Sequence, residues 1–533
     1  MYPMRHLRAV IQASILLGVI PITLAAQQTR PERTGWAETS AYADVTGLLD
    51  SLRLRGADIQ VGELGRSPEG KSIPYVLASR PLVLDAAAAH RSGKPVIWLQ
   101  ANIHAGEVEG KEAAQMLLRD LTLGALRPLL DSVVLIVVPI YNGDGNDHWA
   151  AGEVNRPGQN GPATVGMRAN GQGLDLNRDY VKGEAPETRG TEALLAAWDP
   201  DLFIDLHTTN GSYHGYLLTW SPGLNPNSPA ANDWVRDRVL PEVRARMRAR
   251  HHQETFPYGN FRDQTPDSLQ LGWETYDPRP RFGTNWNGLR GRVSILSEAY
   301  SNADLHTRID VTYNFVREIL SLVVERRAEL RDVIARSDRW HPDSVITRSI
   351  LGPSTDQDVI AELTEPDGDG SGMYARRKRT GVFRTVRMPV FDRFVGARRE
   401  PLAEGYLLPP QHSGIVALLR TQGITVERLT APWQGGVEAF KLDSITAAPF
   451  PFEGHRTVSV EGNWNVRPAQ VPAGWYFVPT RQRLGVFAAY ILEPESEDGL
   501  VTWNFMDRDL RRNTEYPFLR LRAPLSVPRV LVP

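Results

Sequence analysis

The 533-residue sequence has no cysteine, and its net charge at pH 7 is only −2. Without cysteine the chain has no disulfide framework, so a large hydrophobic core must supply its stability. The near balance of acidic and basic residues gives no sign of a nucleic-acid partner. Hydrophobic residues make up 41% of the chain, which at this length predicts real cores and more than one domain.

Long apolar runs are also absent, except for one at the N-terminus. The basic stretch MYPMRHLR is followed by AVIQASILLGVIPITLA and ends in the small residues Ala25 and Ala26. This order is typical of a secretory signal peptide over residues 1–26, so we expect a secreted or periplasmic protein with no stable membrane insertion after cleavage. A membrane anchor over the same run is the alternative. The sequence leaves the oligomeric state open.

Strand-like and helix-like segments alternate through residues 27–340. Apolar runs predict strands at 95–103, 132–142, 201–208, 214–220 and 292–300, and helical spacing predicts helices at 109–121, 191–198, 231–250 and 309–336. The alternation predicts an α/β catalytic domain with a mixed, mostly parallel sheet and helices on both faces. Residues 341–533 have short strand-like pieces separated by glycine and proline, which predicts a mainly β accessory domain.

The first of these strands is followed by a histidine and a glutamate three positions apart. In ANIHAGEVE (101–109), His104 and Glu107 stand between the strand and the predicted helix. In α/β proteins the turns at the carboxyl ends of strands are where ligands bind. The pair could cap the helix, form an ion pair or hold a metal ion.

Polar residues also mark other strand ends, which converge on one crevice in a covered sheet. LDLNRDY (174–180) follows a glycine-rich loop, His207 ends DLFIDLHT, and Glu298 lies near the end of RVSILSEAY. His104, Glu107 and His207 form the set of two histidines and one carboxylate that a catalytic zinc uses. A further carboxylate must then carry a proton from water to the leaving amine, and Glu298 is the candidate.

Arginine and asparagine side chains supply groups for anion binding. Arg178 follows Asn177 directly, and a planar guanidinium can hold a carboxylate through two hydrogen bonds. A second arginine can stabilise charge on an oxyanion; Arg156 is the candidate and Arg168 its competitor.

HAGE (104–107), DLNRDY (175–180), DLHTTNG (205–211) and SEAY (297–300) together resemble the signature blocks of the zinc carboxypeptidases of the carboxypeptidase A type. The blocks occur in the same order, over roughly residues 40–338, and the signal peptide suits a secreted bacterial member. The resemblance implies one zinc ion (Zn2+) per chain, held by His104, Glu107 and His207. It also implies a peptide substrate whose free carboxylate binds the Asn-Arg pair.

The same resemblance assigns the general base to Glu298 and the oxyanion arginine to Arg156, although Arg168 is closer to the Asn-Arg pair. A mobile tyrosine upstream of the base, which helps to bind substrate, is matched by Tyr276 in WETYDPRP. The chain departs from the digestive members of the family because it lacks cysteines and has a separate C-terminal domain.

These observations predict a secreted zinc metallocarboxypeptidase. An N-acyl amino acid deacylase or a cell-wall peptide amidase on the same fold is the alternative, and an inactive binding protein is a further one. Structural roles also remain open at this point. Glu298 could pair with Arg290 or Arg292, Arg178 could pair with Asp175 or Asp179, and Tyr276 could serve packing alone.

Overall fold

A computed structural model describes residues 27–368 and 377–533 of the chain. The predicted signal peptide, residues 1–26, lies outside this part. Within the described residues no helix is both long and apolar enough to cross a membrane.

The strands of the first region build one large sheet and several small pairings. In chain order they are β1 (Ile59–Arg66), β2 (Ser72–Ala78), β3 (Val96–Ala101), β4 (Val134–Val138), β5 (Ala150–Ala151), β6 (Thr164–Val165), β7 (Leu202–Thr208), β8 (Leu218–Pro222), β9 (Thr255–Pro257), β10 (Asn260–Phe261), β11 (Trp273–Glu274) and β12 (Val293–Ala299). The eight-stranded sheet has the order β1-β2-β4-β3-β7-β12-β8-β9. Its central strands β4, β3, β7 and β12 are parallel, and β1, β2 and the β12–β8 pair are antiparallel.

Helices connect these strands. They are α1 (Arg30–Arg33), α2 (Tyr42–Leu54), α3 (Ala86–Arg91), α4 (Glu109–Thr122), α5 (Gly143–Asp147), α6 (Gly152–Asn155), α7 (Pro186–Trp198), α8 (Pro229–Trp234), α9 (Leu240–His251), α10 (Gly283–Leu289), α11 (Leu305–Glu325) and α12 (Arg327–Arg339).

Both faces of the large sheet are covered, as the sequence predicted. Successive residues of β3 alternate between two cores: Trp98 belongs to a core with α7 and α10, and Ile97 and Leu99 to a core with α4 and α11. A strand buried on both faces must be apolar on both, which explains the continuous apolar runs. The predicted fold class is therefore confirmed.

Three predicted elements differ in detail. The strand expected at 214–220 is found at Leu218–Pro222, because His214 instead forms an isolated bridge with Ala361. The helix expected at 231–250 contains a π-helical segment, Val235–Val239, just before Pro241, whose ring nitrogen cannot donate to the helical ladder. The single helix expected at 309–336 is wrong, since α11 and α12 meet at Arg326, where φ is −105°.

The rest of the chain is rich in strands. They are β13 (Ser344–Leu351), β14 (Thr355–Pro366), β15 (Arg377–Phe391), β16 (Phe394–Pro401), β17 (Gly405–Leu408), β18 (Glu427–Leu429), β19 (Trp433–Ala447), β20 (Val458–Val471), β21 (Tyr476–Pro479), β22 (Glu515–Leu521) and β23 (Arg529–Leu531). Two short helices accompany them, α13 (Ser413–Thr421) and α14 (Gly485–Leu492). Seven of these strands form one sheet, in the order β20-β19-β22-β17-β21-β18-β23.

The two regions are packed closely together. Strand β15 pairs with β11 of the first region, so one small sheet contains strands from both. Phe487 of α14 lies edge-on to Trp286 of α10, with ring centroids 5.8 Å apart, and both belong to one core. The boundary at residue 340 between a catalytic and an accessory domain stays a prediction.

Candidate metal centre and substrate-binding groups

His104 and Glu107 lie in the turn that leads from β3 to α4. Asn102, just after β3, has a φ of 67°, which turns the chain away from the strand direction. The backbone N–H of Glu107 donates to the carbonyl of His104 (3.0 Å) and closes the turn. Both side chains are therefore directed into the same buried space, and each is less than 5% exposed.

His207 reaches this space from the neighbouring strand. Strand β7 runs parallel to β3, with Leu206 opposite Ala101, so the carboxyl ends of the two strands meet at one edge of the sheet. Nδ1 of His104 lies 3.1 Å from Oε1 of Glu107, and Nδ1 of His207 lies 3.0 Å from Oε2. One ligand atom from each residue lies within 4.8 Å of the others. The structure thus brings together the three predicted metal ligands.

An aspartate lies behind each histidine. Nε2 of His104 is 3.0 Å from Oδ1 of Asp175, and Nε2 of His207 is 3.0 Å from Oδ2 of Asp205. In His104 the outer nitrogen can donate a hydrogen bond to Asp175, which leaves the inner nitrogen free to bind a metal. The oxygens of Asp205 have no hydrogen-bond partner, so its contact with His207 is electrostatic. Burial disfavours a charged His207, yet Asp205 and Glu107 raise its pKa above the ordinary value. The pocket therefore favours positive charge.

The residues of this pocket fit a zinc ion. Two inward-facing imidazole nitrogens and one carboxylate are the protein ligands of many catalytic zinc sites. Burial acts to raise the pKa of Glu107, but His104 and Arg156 together hold it well below its usual range, so the carboxylate is ionised and ready to bind a cation. Within the described residues, His104, Glu107 and His207 form a cluster that could hold a metal ion.

Glu298 lies beside this cluster on β12, directly opposite His207 in the parallel pairing of β12 with β7. Its side chain is 8% exposed, and Oε2 has no hydrogen-bond partner. Burial raises its pKa, although the neighbouring His207 opposes the shift. The arginines considered as its ion-pair partners are used elsewhere, because Arg292 pairs with Asp199 and Asp338, and Arg290 donates to the carbonyl of Gln422.

Both arginines considered for an oxyanion contact the carboxylate of Glu107. A terminal nitrogen of Arg156 lies 3.4 Å from Oε1 of Glu107, and one of Arg168 lies 3.3 Å from it. Arg156 also donates to the carbonyls of Thr208 and Thr209 (2.7 and 3.0 Å), while its buried Nε has no partner. Nε of Arg168 donates to Asp175 (3.0 Å). Of these two arginines, Arg156 alone therefore has an Nε–H without a hydrogen-bond partner.

Asn177 and Arg178 follow Asp175, whose carboxylate caps the short 3-10 turn that contains them. Nδ2 of Asn177 is 3.3 Å from Nε2 of His207, and its Oδ1 accepts from the backbone N–H of Gly283 (2.9 Å). Arg178 lies 3.9 Å from Asp175, which is too long for a close ion pair. Burial lowers its pKa; Asp175 opposes this shift and the neighbouring Arg168 adds to it.

Tyr276 and Arg178 both contact the ring of Phe282. Its ring contacts Tyr258 and Phe282 edge-on, and its hydroxyl donates to Oδ1 of Asn285 (3.3 Å). The guanidinium of Arg178 stacks on the same Phe282 ring at 4.2 Å. The predicted substrate contact of Tyr276 stays a prediction.

Sequence reasoning missed the role of two residues in this pocket. Asp205 lies two positions before His207 on β7, and residues two apart on a strand point to the same face, so its position gave a usable signal. Asp175 was considered only as a partner of Arg178. No pattern indicated that the turn after β19, which contains Phe452 and Glu453, reaches the same pocket.

A pocket that fits a zinc ion at the carboxyl ends of parallel strands, with a buried free carboxylate beside it, is typical of a metal-dependent hydrolase. Residues 46–273 match the family model described as zinc carboxypeptidase. Residues 46–273 therefore form a zinc carboxypeptidase domain, as the motifs indicated, and this domain supports the enzyme class of the zinc metallocarboxypeptidases.

The chain is also similar to individual carboxypeptidases. Carboxypeptidase 2 of Trichophyton rubrum is 25% identical over 479 residues, which covers 86% of this chain and 82% of the relative. Carboxypeptidase D of Rattus norvegicus is 31% identical over 232 residues, but these are only 41% of this chain and 16% of the relative. Among solved structures, a metallo-carboxypeptidase from Burkholderia cenocepacia has a TM-score of 0.38 and 18% identity, covering 53% of this chain and 68% of the other.

Proposed function

We propose that this protein is a secreted zinc metallocarboxypeptidase that removes residues from the free C-terminus of peptides and holds one zinc ion per chain. One observation carries the proposal: the cluster of His104, Glu107 and His207 lies beside Asn177 and Arg178. A metal site and a group for binding an anion therefore share one pocket. The signal-peptide pattern of residues 1–26 supports secretion.

Arg178 and Asn177 bind the terminal carboxylate of the substrate. The guanidinium of Arg178 has no carboxylate closer than 3.9 Å and is 21% exposed, so it can offer a planar pair of donors to an incoming anion. Binding the carboxylate at this point fixes the last peptide bond relative to the cluster. The enzyme is therefore an exopeptidase.

The chemistry of the cleavage is divided among three groups. Zinc, when bound, supplies Lewis acidity that polarises the substrate carbonyl and activates water. Glu298 takes a proton from the attacking water at its free Oε2 and passes it to the amine nitrogen as the C–N bond breaks. Arg156 stabilises the negative charge that develops on the carbonyl oxygen, and its free Nε–H supports this choice over Arg168.

The test measures zinc content and hydrolysis together, on the wild type and on Glu298→Gln. The substrates are peptides with a free C-terminus, the same peptides amidated, N-acyl amino acids and cell-wall peptides. We expect about one zinc ion in each protein, cleavage of the free peptides only, and a loss in kcat of about 100- to 10,000-fold in Glu298→Gln, because a general base is removed. Glu153→Gln, the same change at an exposed position near Arg156, is the control and should leave kcat unchanged.

The other outcomes each assign a different function. Equal cleavage of free and amidated peptides would remove the role of Arg178 and favour an amidase. Faster turnover of N-acyl amino acids than of peptides would favour a deacylase. Zinc binding without turnover of any substrate would indicate a binding protein.

A further inference from the structure

A small cavity lies where α10 and α12 of the first region meet α14 of the C-terminal region, away from the metal cluster. Its volume is about 20 Å3. Arg290, directly after α10, Ser337 of α12 and Arg483, just before α14, all line it, and none of the described lining residues is acidic. A cavity of this size has room for one water molecule or one single-atom ion, but not for a phosphate or a carboxylate ligand.

Arg290 carries a buried charge that no carboxylate neutralises at close range. It is 3% exposed, one of its terminal nitrogens donates to the carbonyl of Gln422, and its guanidinium lies 4.2 Å from the ring centre of Trp286. The other terminal nitrogen, Nη2, is buried and has no hydrogen-bond partner among the described residues. Burial and the nearby Arg483 lower the pKa of Arg290 to about 9, yet an arginine stays protonated at neutral pH.

The acidic residues near Arg290 do not compensate its charge directly. Asp199 pairs with Arg292 (2.6 Å) and with Arg483 (3.2 Å), while Asp338 pairs with Arg292 (2.7 Å).

Glu192 also acts electrostatically on Arg290, although it forms no ion pair with it in the described part of the chain. Burial raises the pKa of Glu192 well above the ordinary value, which favours its uncharged form. The cavity therefore lies beside a buried positive charge whose counter-charge has to come from outside the protein.

Ser337 adds a second unused donor to the cavity wall. Its Oγ is buried and, like Nη2 of Arg290, has no partner among the described residues. Guanidinium nitrogens can only donate hydrogen bonds, and a hydroxyl can donate one. The amide of Asn227, which also lines the cavity, is already used: Oδ1 accepts from the backbone N–H of Ile346 and Nδ2 donates to its carbonyl, both at 2.8 Å. These free donors favour an anion and disfavour a cation.

We propose that this cavity binds one single-atom anion, chloride, with Arg290 and Ser337 as its ligands and Arg483 beside it. The ion supplies the close negative charge that Arg290 lacks and accepts charge-assisted hydrogen bonds from otherwise unsatisfied donors. Because these residues belong to α10, α12 and the segment before α14, a bound ion links the C-terminal region to the first region. An ion that binds only the folded chain stabilises it.

The first test compares thermal unfolding of the full chain in sodium chloride and in sodium gluconate at equal ionic strength. Gluconate is too large for the cavity and reproduces only the general effect of salt. At about 200 mM we expect the midpoint in chloride to exceed that in gluconate by about 1 to 2 °C. Arg290→Met should abolish this difference, and Ser337→Ala should raise the chloride concentration of half-effect by about tenfold, because one hydrogen bond is lost.

Arg336→Met is the matched control. It removes an exposed arginine of α12 that is next to Ser337 in the sequence but does not line the cavity, so it should keep the difference between chloride and gluconate. If Arg290→Met does not fold, Ser337→Ala decides: an unchanged chloride dependence in this variant overturns the inference. Equal midpoints in chloride and gluconate for the wild type overturn it as well.

Bromide can locate the site directly, since it has the charge of chloride and a similar size and scatters X-rays anomalously. In a crystal soaked in sodium bromide we expect an anomalous peak between Arg290 and Ser337. No peak at this position would mean that water fills the cavity, and the inference would be wrong. A peak without a chloride effect in solution would mean binding at the soaking concentration only, which overturns the inference too.

Discussion

The strands of the large sheet and the long hairpins of the C-terminal region place polar residues in different ways. Strands β3, β4, β7 and β12 have no exposed position, whereas along β20 exposed positions alternate with buried or half-buried ones over most of its length. A polar residue inside a doubly covered strand is costly unless it has a partner or a functional use, but one on an open hairpin is solvated. His207, Asp205 and Glu298 are therefore conspicuous, whereas Phe452 in its exposed turn is not.

The two regions therefore contribute different groups to the site. The covered sheet holds the metal cluster, and its parallel ends fix the distances between the groups. The hairpin region supplies one wall of a cavity beside Arg178 and contributes no candidate metal ligand among the described residues. Changes in the first region should therefore affect turnover, and changes in the second should affect stability.

The largest effect is expected from a change in the metal cluster. His207→Ala removes one of three predicted ligands, and we expect zinc to be lost and kcat/KM to fall by roughly 10,000-fold, because activation of the carbonyl and of water depends on the bound ion. Zinc content by elemental analysis and hydrolysis of a free peptide measure the two effects. His148→Ala, which changes a half-exposed histidine outside the cluster, should keep both. Full zinc occupancy in His207→Ala would show that the ligand set is wrong.

Removing the C-terminal region should affect the whole fold. A chain of residues 27–340 would expose Trp286, which packs on Phe487, and would leave Arg281 without Asp498. We expect this chain to be insoluble or to lack a cooperative thermal transition, as measured by circular dichroism. A chain that ends at Pro528 is the control, since it loses only the exposed strand β23 and the chain end. A soluble 27–340 chain with a sharp transition would instead support the predicted boundary as that of an independent domain.

Breaking the ion pair between Arg281 and Asp498 is expected to have a smaller effect than removing the C-terminal region. Both side chains are buried, at 5% and 0% exposure, and each belongs to a different region. Asp498→Asn leaves the guanidinium without its counter-charge, so the free energy of unfolding should fall by about 3 kcal/mol. Urea denaturation measures it. In the double variant with Arg281→Met the loss should be smaller than the sum of the two single losses; additive losses would mean that the two residues are not coupled.

The smallest effect is expected on the open hairpin face. Arg467 and Glu515 form an ion pair at 2.7 Å, but their side chains are 38% and 48% exposed. Water screens such a pair, so Glu515→Ala should lower the free energy of unfolding by less than about 1 kcal/mol. The same urea measurement applies. A loss as large as that of Asp498→Asn would remove the contrast between the buried contact and the exposed hairpin.

The covered strands and the open hairpins also differ in how far their sequences predict their structure. The covered strands were identified because their residues are apolar on both faces, and the ligands because His104, Glu107 and His207 interrupt that pattern at strand ends. The helix at 309–336 was not predicted to divide, because the residues around Arg326 have ordinary helix-forming side chains. The shift of the strand at 214–220 depends on the bridge between His214 and Ala361, which are far apart in the sequence.

The sequence by itself determined the fold class, the resemblance to the zinc carboxypeptidases and the residues of the candidate metal cluster, because burial on both faces of the sheet restricts where polar side chains can occur. Only the tertiary structure decided which other groups contact the residues of the metal cluster. It placed Asp175 and Asp205 behind the histidines, left Nε of Arg156 and Oε2 of Glu298 without partners, and brought Phe452 to the cavity beside Arg178. These relations depend on distances between residues that lie tens to hundreds of positions apart in the sequence, and such distances are fixed only when the regions pack together.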